Sequence, residues 1–326
     1  MQSFPFVGSF SLPFRIDFFE NCWSGKRRGS PMYDYQRLCR EIEFLSHRYG
    51  CCRLSSAGES LCGRSLPLLE IGEGKKAVLY AGAFHGMEWI TSALLMHFCR
   101  RLCQAQESGI TVSGTPVRSL FKKITFYCLP MVNPDGVEIS LKGPEQAGIC
   151  LEKPWGNTAR WQANARGVDI NHNFDAGWHT LRKMEETAGI AGPGPTRYGG
   201  TAPESEPETA AVASLCRRIP FSLVMAFHSQ GEEIYWQYGA HTPAVSQELA
   251  LEFARLSGYQ AAQPEPMASM GGFKDWFIEE FHRPGFTIEV GKGKNPLPFS
   301  QLASIEFRLF PMMMRGLTVC AQLPEE

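Results

Sequence analysis

The segment AVLYAGAFHGMEWITSALLMHF, residues 77–98, decides the fold that the sequence predicts. It opens with an apolar run, residues 77–83, which has the length and composition of a buried β-strand. It continues as a helix, because apolar residues recur at three- and four-residue steps at Ile90, Ala93, Leu94 and Phe98. A strand that leads directly into a helix is the repeating unit of an α/β sheet.

His85 and Glu88 lie at the junction between this strand and this helix. Such a junction is at the carboxyl edge of the strand, where α/β sheets bind ligands. A spacing of three turns both side chains to one side of the first helical turn. An imidazole nitrogen and a carboxylate oxygen could then reach one zinc ion at ~2.0–2.2 Å. Because such a pair often occurs by chance, the pair alone favours a surface glutamate beside a capping histidine, and the rest of the chain has to support a metal site.

The composition favours a globular enzyme. The 326 residues include 32 basic and 33 acidic side chains, so the net charge is -1. Because basic residues are not in excess, the composition does not favour nucleic acid or an anionic membrane as a partner. No apolar run approaches the ~20 residues that cross a bilayer. The 11 cysteines follow no regular framework and contain no paired CxxC motifs. They are therefore expected to be mostly buried thiols in a reducing compartment.

Residues 1–31 are predicted to be an N-terminal extension or packing arm, followed by one α/β domain over residues 32–326. The first ten residues, MQSFPFVGSF, lack the basic stretch and apolar core of a signal peptide. Together with the cysteine content, this predicts a cytoplasmic location. The sequence does not indicate the oligomeric state.

Strand patterns alternate with helical patterns along the rest of the chain, and no internal repeat interrupts them. The predicted strands are residues 52–56, 66–71, 77–83, 124–131, 221–227 and 286–290. The predicted helices are residues 33–49, 90–98, 181–188, 206–217, 242–257, 273–281 and 302–317. Asn133-Pro-Asp-Gly136 is predicted to be a turn, and residues 142–167 and 189–206 to be loops. This alternation predicts a single α/β domain with a mostly buried sheet.

Two further residues could complete a hydrolytic zinc site, which requires three protein ligands and one open position. His228 follows the predicted strand 221–227, at the same kind of sheet edge as His85. Glu289 lies inside an apolar strand, where an ionised carboxylate is unfavourable without a partner. It could take a proton from a water that zinc activates. The alternatives are a hydrogen-bonded histidine at a strand end and an edge-strand glutamate that faces solvent.

Asn171 and His172 follow the loop region, in the stretch GVDINHNF, residues 167–174. The amide of Asn171 could donate a hydrogen bond to a substrate carboxylate, and His172 could donate or accept one. Because Asn and Asp favour turns, simple turn formation is the alternative explanation of this stretch.

Taken in order, these stretches resemble the zinc carboxypeptidases of the carboxypeptidase A type. His85 and Glu88 are similar to that family's first two zinc ligands, His228 to its third ligand and Glu289 to its catalytic glutamate. Three more family motifs have counterparts at residues 130–136, 167–171 and 271–276. The resemblance covers residues 33–317. It implies a mixed sheet of about eight strands flanked by helices, one Zn²⁺ per chain and peptide hydrolysis through a zinc-activated water.

This chain departs from the family pattern at four positions. His172 stands where the family has the arginine that binds the substrate's terminal carboxylate, and Gln162 where it has the oxyanion arginine. Met267 stands in place of the tyrosine that caps the substrate, and Met87 in place of the arginine before the glutamate ligand. Oxyanion stabilisation is usually worth several kcal/mol. Another donor, Arg160 or Arg166, could substitute, and the sequence does not decide between them.

Three stretches resemble a bacterial subgroup, the γ-D-glutamyl-diamino acid endopeptidases: NARGVD (164–169), FHSQGEEIYW (227–236) and EVGKGKNPLP (289–298). These enzymes cut cell-wall peptides between γ-D-Glu and meso-diaminopimelate or lysine, which implies a small muropeptide substrate here. Three alternatives compete with this interpretation. One is an ordinary metallocarboxypeptidase, which His172 disfavours. Another is a catalytically inactive or weak peptide-binding relative, which Gln162 and Met267 favour but the retained ligand and base residues disfavour. The third is a deacylase or amidohydrolase on the same fold.

Lys274 is a further candidate for substrate binding. In Gly272-Phe-Lys-Asp-Trp276 it occupies the position where carboxypeptidase relatives place the residue at the base of the side-chain pocket. A lysine there implies a substrate side chain that ends in a carboxylate, which meso-diaminopimelate has and lysine lacks. The alternative is a lysine that points to solvent at the start of a helix.

Overall fold

The computed structural model describes residues 32–146 and 156–323. The predicted N-terminal extension, residues 1–31, lies outside these described residues. The strands are β1 Cys52–Glu59, β2 Ser65–Gly72, β3 Lys76–Gly82, β4 Thr111–Val112, β5 Thr115–Pro116, β6 Ile124–Leu129, β7 Phe221–His228, β8 Glu233–Tyr235, β9 Gln260–Ala262 and β10 Gly285–Glu289. The α-helices are α1 Tyr35–Arg48, α2 Ile90–Ser108, α3 Val117–Phe121, α4 Pro134–Lys142, α5 Trp178–Thr187, α6 Pro207–Arg218, α7 Val245–Ser257, α8 Phe273–Phe281 and α9 Leu302–Gln322.

Eight of these strands form one mixed sheet in the order β1-β2-β6-β3-β7-β10-β8-β9, while β4 and β5 form a separate small hairpin. The four neighbours β6, β3, β7 and β10 run parallel to one another. Antiparallel pairing of β2 with β6 and of β8 with β10 extends the sheet on both sides. The mixed sheet that the family resemblance implied is therefore confirmed.

The central strands β6, β3, β7 and β10 are mostly buried on both faces, as their near-continuous apolar sequences predict, whereas the edge strand β1 is largely exposed. Along β3, Val78 and Tyr80 belong to the hydrophobic cluster that contains the buried residues of α1, α2, α7 and α9. Leu79 and Ala81 point the other way, into a second cluster with residues of α6 and α8. This alternation follows from the two-residue period of a strand.

The strands and helices that the sequence predicts are all present, and the structure adds α3 and the β4–β5 hairpin, which were not predicted. The three-residue strands β8 and β9 were not predicted, because so short a segment shows no alternation. The turn predicted at Asn133-Pro-Asp-Gly136 is wrong, since these residues begin α4. The Asn133 side chain caps this helix by accepting the Gly136 N–H at 2.8 Å, and Pro134 occupies the first turn.

The nine cysteines in the described part of the chain are all free thiols, and six of them are buried. No helix within the described ranges is both long enough and apolar enough to span a membrane. Cysteine therefore serves this fold mainly as a small apolar core residue.

Glu208, on α6, gives the fold a pH dependence that can be tested. Its side chain is fully buried and accepts hydrogen bonds from the Leu61 N–H at 2.9 Å and the Asn164 Nδ2 at 3.2 Å. Burial, with a smaller effect of Asp135, raises the pKa of Glu208 from 4.5 to about 7. The folded state therefore binds a proton that the unfolded state releases, and stability falls as the pH rises between these two values.

We expect this one group to remove on the order of 3 kcal/mol of unfolding free energy between about pH 4.5 and pH 7. Glu208→Gln stays uncharged, so its stability should decline less over that range. Urea unfolding of both proteins at about pH 5 and about pH 7.5 measures the difference, and the groups that the two proteins share cancel. Equal pH slopes in the two proteins would show that Glu208 is ionised in the folded state.

Candidate active site

Three neighbouring parallel strands bring the candidate residues to one edge of the sheet. His85 follows β3, His228 is the last residue of β7, and Glu289 is the last residue of β10. Strand β7 pairs with both β3 and β10, and His228 is in register with Glu289. Because parallel strands end at the same edge, residues that are far apart in sequence meet there.

The turn that carries His85–Glu88 is held by hydrogen bonds on both sides. The Thr91 hydroxyl accepts the Ala83 N–H and donates to the Glu88 carbonyl, both at 2.8 Å. A Cβ atom on Gly86 would lie 2.2 Å from the Gly136 carbonyl oxygen, so only glycine permits this close approach. The turn is therefore clamped between α2 and the start of α4.

Asn133 connects the His85–Glu88 turn to the loop that contains Gln162 and Ala163. Its Nδ2 donates to the carbonyls of Phe84, Gln162 and Ala163 at 3.0, 3.0 and 3.1 Å. Asn133 is fully buried, so these bonds replace the water that its amide would otherwise bind. The Asn-Pro-Asp-Gly motif thus both begins a helix and fixes one wall of the site.

His85, Glu88 and His228 converge on a common point. His85 Nδ1 lies 3.0 Å from Glu88 Oε1, His228 Nδ1 lies 3.2 Å from Glu88 Oε2, and the two Nδ1 atoms are 3.4 Å apart. Ligands of a tetrahedral zinc ion at ~2.0–2.1 Å are separated by roughly 3.3 Å. The donor set therefore fits zinc in both spacing and chemistry. Within the described ranges it is the one cluster of three such side chains that could hold a metal.

Asp169 supports this cluster and was not assigned a role from the sequence. Its Oδ1 lies 3.1 Å from His85 Nε2, and the Asp169 side chain is nearly fully buried. A carboxylate on the outer nitrogen of a ligating histidine fixes the ring's tautomer and orientation. In the sequence, Asp169 lies in a stretch whose residues favour turns. That pattern does not indicate which histidine the aspartate contacts.

The electrostatics give the two glutamates of the site different characters. Burial opposes ionisation of Glu88, but the imidazoles of His85 and His228 lower its pKa to about 2. Burial, reinforced by the negative charge of Glu88, raises the pKa of Glu289 well above its usual value. Glu88 is therefore an anionic donor, while Glu289 has a high affinity for a proton.

A cleft of about 790 Å³ opens over this cluster, and all four predicted substrate-binding residues line it. Asn171 Oδ1 accepts the Phe273 N–H at 3.0 Å, which leaves its Nδ2 as a donor. His172 Nδ1 is committed to Glu185 Oε1 at 2.9 Å and to a backbone carbonyl at 3.1 Å. The Gln162 side chain accepts a hydrogen bond from the Thr196 hydroxyl.

Lys274 lies inside the cleft lining with only 3% of its surface exposed, so the solvent-facing alternative is wrong. Its Nζ contacts Asp275 and donates to the Gln237 carbonyl at 2.8 Å. An ammonium group has three N–H donors. One donor of Lys274 is therefore left for a ligand.

The structure distinguishes the two arginines considered as oxyanion donors. Arg166 pairs with the buried Glu206 at 3.1 Å and does not line the cleft. Arg160 lines the cleft and is exposed. Of the two, only Arg160 is placed to contact a substrate.

The site has a carboxylate and two imidazoles that converge beside a partly buried glutamate, in an open cleft at a sheet edge. This arrangement is typical of a metal-dependent hydrolase. The sequence model of the zinc carboxypeptidase family matches residues 40–306. The chain belongs to this family and is a zinc metallopeptidase.

Individual relatives agree with this assignment. The chain is 37% identical over 295 residues to gamma-D-glutamyl-L-diamino acid endopeptidase 1 of Lysinibacillus sphaericus, which covers 89% of this chain and 73% of that protein. It is 27% identical over 277 residues to Homo sapiens carboxypeptidase B, covering 76% and 60% of the two chains. The crystal structure of carboxypeptidase A from Helicoverpa armigera superposes with a TM-score of 0.70 and 18% identity, covering 94% and 78%. This last similarity concerns the fold alone.

Proposed function

We propose that this protein is a peptidase that uses one zinc ion per chain to hydrolyse γ-D-glutamyl-diamino acid bonds in small cell-wall (murein) peptides. The observation that carries the reaction class is the His85, Glu88 and His228 donor set beside Glu289. Two findings support the substrate class. One is the 37% identity to an endopeptidase named for this bond, and the other is the buried Lys274 in the cleft.

Each residue of the site has a defined part in this proposal. His85, Glu88 and His228 hold the metal, and Asp169 keeps the His85 ring in place through its Nε2. Zinc, when bound, supplies Lewis-acid activation of a water molecule and of the substrate carbonyl. Glu289 accepts the proton of the attacking water and delivers it to the leaving amine.

The cleft supplies the groups that recognise the peptide. Asn171 Nδ2 and the remaining Lys274 N–H are donors for substrate carboxylates. The Gln162 side chain and Arg160 also line the cleft, and we propose them as donors to the developing oxyanion. Hydrogen bonds in a partly dry cleft are stronger than in water, so few are needed for orientation.

Mass spectrometry of L-Ala-γ-D-Glu-diaminopimelate peptides after incubation with the zinc-loaded protein tests this function directly. We expect a new fragment that ends at the glutamate. An α-linked peptide of the same composition is the matched control, because only the linkage differs. Cleavage of the α-linked peptide from its C-terminus, with the γ-linked peptide intact, would replace the proposal by ordinary carboxypeptidase activity. Zinc binding without any cleavage would indicate a peptide-binding relative.

Lys274→Met should reduce the preference for diaminopimelate over lysine in the substrate. One charge-assisted hydrogen bond in a partly dry pocket is worth about 1.5–3 kcal/mol, or roughly 10- to 150-fold in kcat/KM. The measurement is kcat/KM for γ-D-Glu-diaminopimelate and γ-D-Glu-Lys peptides with both proteins. Lys122→Met, at an exposed position, controls for the loss of one positive charge. A preference that persists in Lys274→Met would show that this lysine is not its source.

The proposal extends to location. We propose that the protein acts in the cytoplasm on peptides released from the wall, with residues 1–31 as an extension to the catalytic domain, residues 32–326. The nine free thiols of the described chain support a reducing environment. Fractionation of cells that express the full chain would test the location, and recovery with periplasmic or secreted proteins would contradict it.

A further inference from the structure

Two arginines that line the cleft make no side-chain interaction with other described residues. Arg160 and Arg197 are both exposed, and within the described residues neither guanidinium has a hydrogen-bond or ion-pair partner. Most other charged groups around the cleft are paired, as Lys274 is with Asp275 and Asp169 with His85. A guanidinium without a partner in a cleft is available to bind an anion.

Arg197 differs from Arg160 in that its backbone is anchored to the site. Its N–H donates to Asp169 Oδ2 at 3.0 Å, and its carbonyl oxygen lies 3.1 Å from His172 Nδ1. Its φ is 66°, in the left-handed region that residues other than glycine rarely adopt. An unfavourable backbone conformation that the surrounding hydrogen bonds maintain is typical of functional sites.

The acidic groups close to Arg197 are already engaged by other residues. Asp169 contacts His85 through Oδ1, and Glu185 contacts His172 and Arg182. The Arg197 backbone is therefore fixed at the cleft, while its guanidinium contacts no carboxylate among the described residues. A ligand in the cleft can supply the complementary anionic group.

We propose that Arg197 binds a substrate carboxylate next to the scissile bond, as a specificity-determining residue. This inference rests on the proposed function. A γ-linked glutamate keeps its α-carboxylate free beside the bond to be cut, whereas an α-linked residue in a peptide does not. The diamino acid can carry a second carboxylate on the other side. A guanidinium binds either group through two parallel N–H···O bonds.

The test uses the full-length, zinc-loaded protein and three peptides. They are L-Ala-γ-D-Glu-diaminopimelate, the same peptide with the glutamyl α-carboxylate as an amide, and the same peptide with the diaminopimelate α-carboxylate as an amide. The variants are Arg197→Ala and Arg197→Lys. Arg255→Ala, exposed on α7 and outside the cleft lining, is the control for the charge change.

For the unmodified peptide, we expect Arg197→Ala to lower kcat/KM by about 10- to 100-fold, mainly through KM, because the contact exists before and during the reaction. Arg197→Lys, which keeps the charge but not the paired geometry, should recover part of this loss. The wild type should cut one of the two amide peptides with a low kcat/KM, and Arg197→Ala should lower the kcat/KM for that peptide little further. That peptide identifies which carboxylate Arg197 binds.

Two results with an active wild type would overturn the inference. One is an Arg197→Ala variant that behaves like Arg255→Ala on all three peptides. The other is an Arg197→Ala variant whose kcat/KM falls by the same factor on all three peptides, so that the ratio of kcat/KM between the carboxylate and amide peptides is unchanged. This result would indicate a structural role for Arg197. If the wild type cuts none of the peptides, both the proposed function and this inference are overturned. If the wild type is active and only the role of Arg197 fails, the proposed function still stands.

Discussion

Replacing Glu289 with glutamine is expected to lower kcat by about 10²- to 10⁴-fold, while zinc content and folding stay unchanged. The amide nearly matches the carboxylate in shape but cannot take a proton from water. Glu289 ends β10 in register with His228, and its pKa is raised by burial, so it is placed and tuned to accept a proton. Steady-state kinetics on the γ-linked peptide, with elemental analysis of the same preparations, measure both quantities.

Glu233→Gln is a matched control for this experiment. Glu233 pairs in register with Glu289 from the adjacent strand β8, and its carboxylate accepts a hydrogen bond from the Tyr235 hydroxyl at 2.6 Å. Removing this neighbouring negative charge should change kcat by less than about tenfold, because Glu233 transfers no proton. If Glu289→Gln keeps kcat within about fivefold of the wild type, Glu289 is structural and another group is the base.

His228→Ala should lose most of its zinc at a chelator concentration that leaves the wild type loaded. This change removes one of three protein ligands, and the other two do not form a closed site by themselves. Loss of a residue that merely supports a ligand costs ~10–100-fold in metal affinity, so loss of a ligand should cost more. Elemental analysis after dialysis and competition with a chromogenic chelator measure the affinity.

His97→Ala provides the comparison for His228→Ala. His97 lies on α2, the helix that follows the His85–Glu88 turn, and its Nδ1 is 3.0 Å from Glu306, away from the cluster. This variant should retain zinc with unchanged affinity. Full retention of zinc in His228→Ala would remove His228 from the site and leave His85 and Glu88 in need of another partner.

Much of the fold could be predicted because its signals are local. The apolar run 77–83 became β3, and the strand before His228 was visible as an apolar segment with a polar end. Glu289 was predicted inside an apolar strand, and in the structure it is the last residue of β10. The turn expected at Asn133-Pro-Asp-Gly136 was wrong, because the same residue types also begin helices. The strands β8 and β9 are too short to carry a pattern.

By itself, the sequence determined the chemistry that this protein could offer: a spaced His-Glu pair, a histidine at a strand end and a glutamate in an apolar strand. Only the tertiary structure decided which groups face one another. It placed Asp169 on His85, buried Lys274 in the cleft and anchored Arg197 while its guanidinium stayed unpaired. The physical reason is that strand and helix patterns depend on near neighbours, whereas hydrogen bonds and ion pairs depend on distances between segments that only packing brings together.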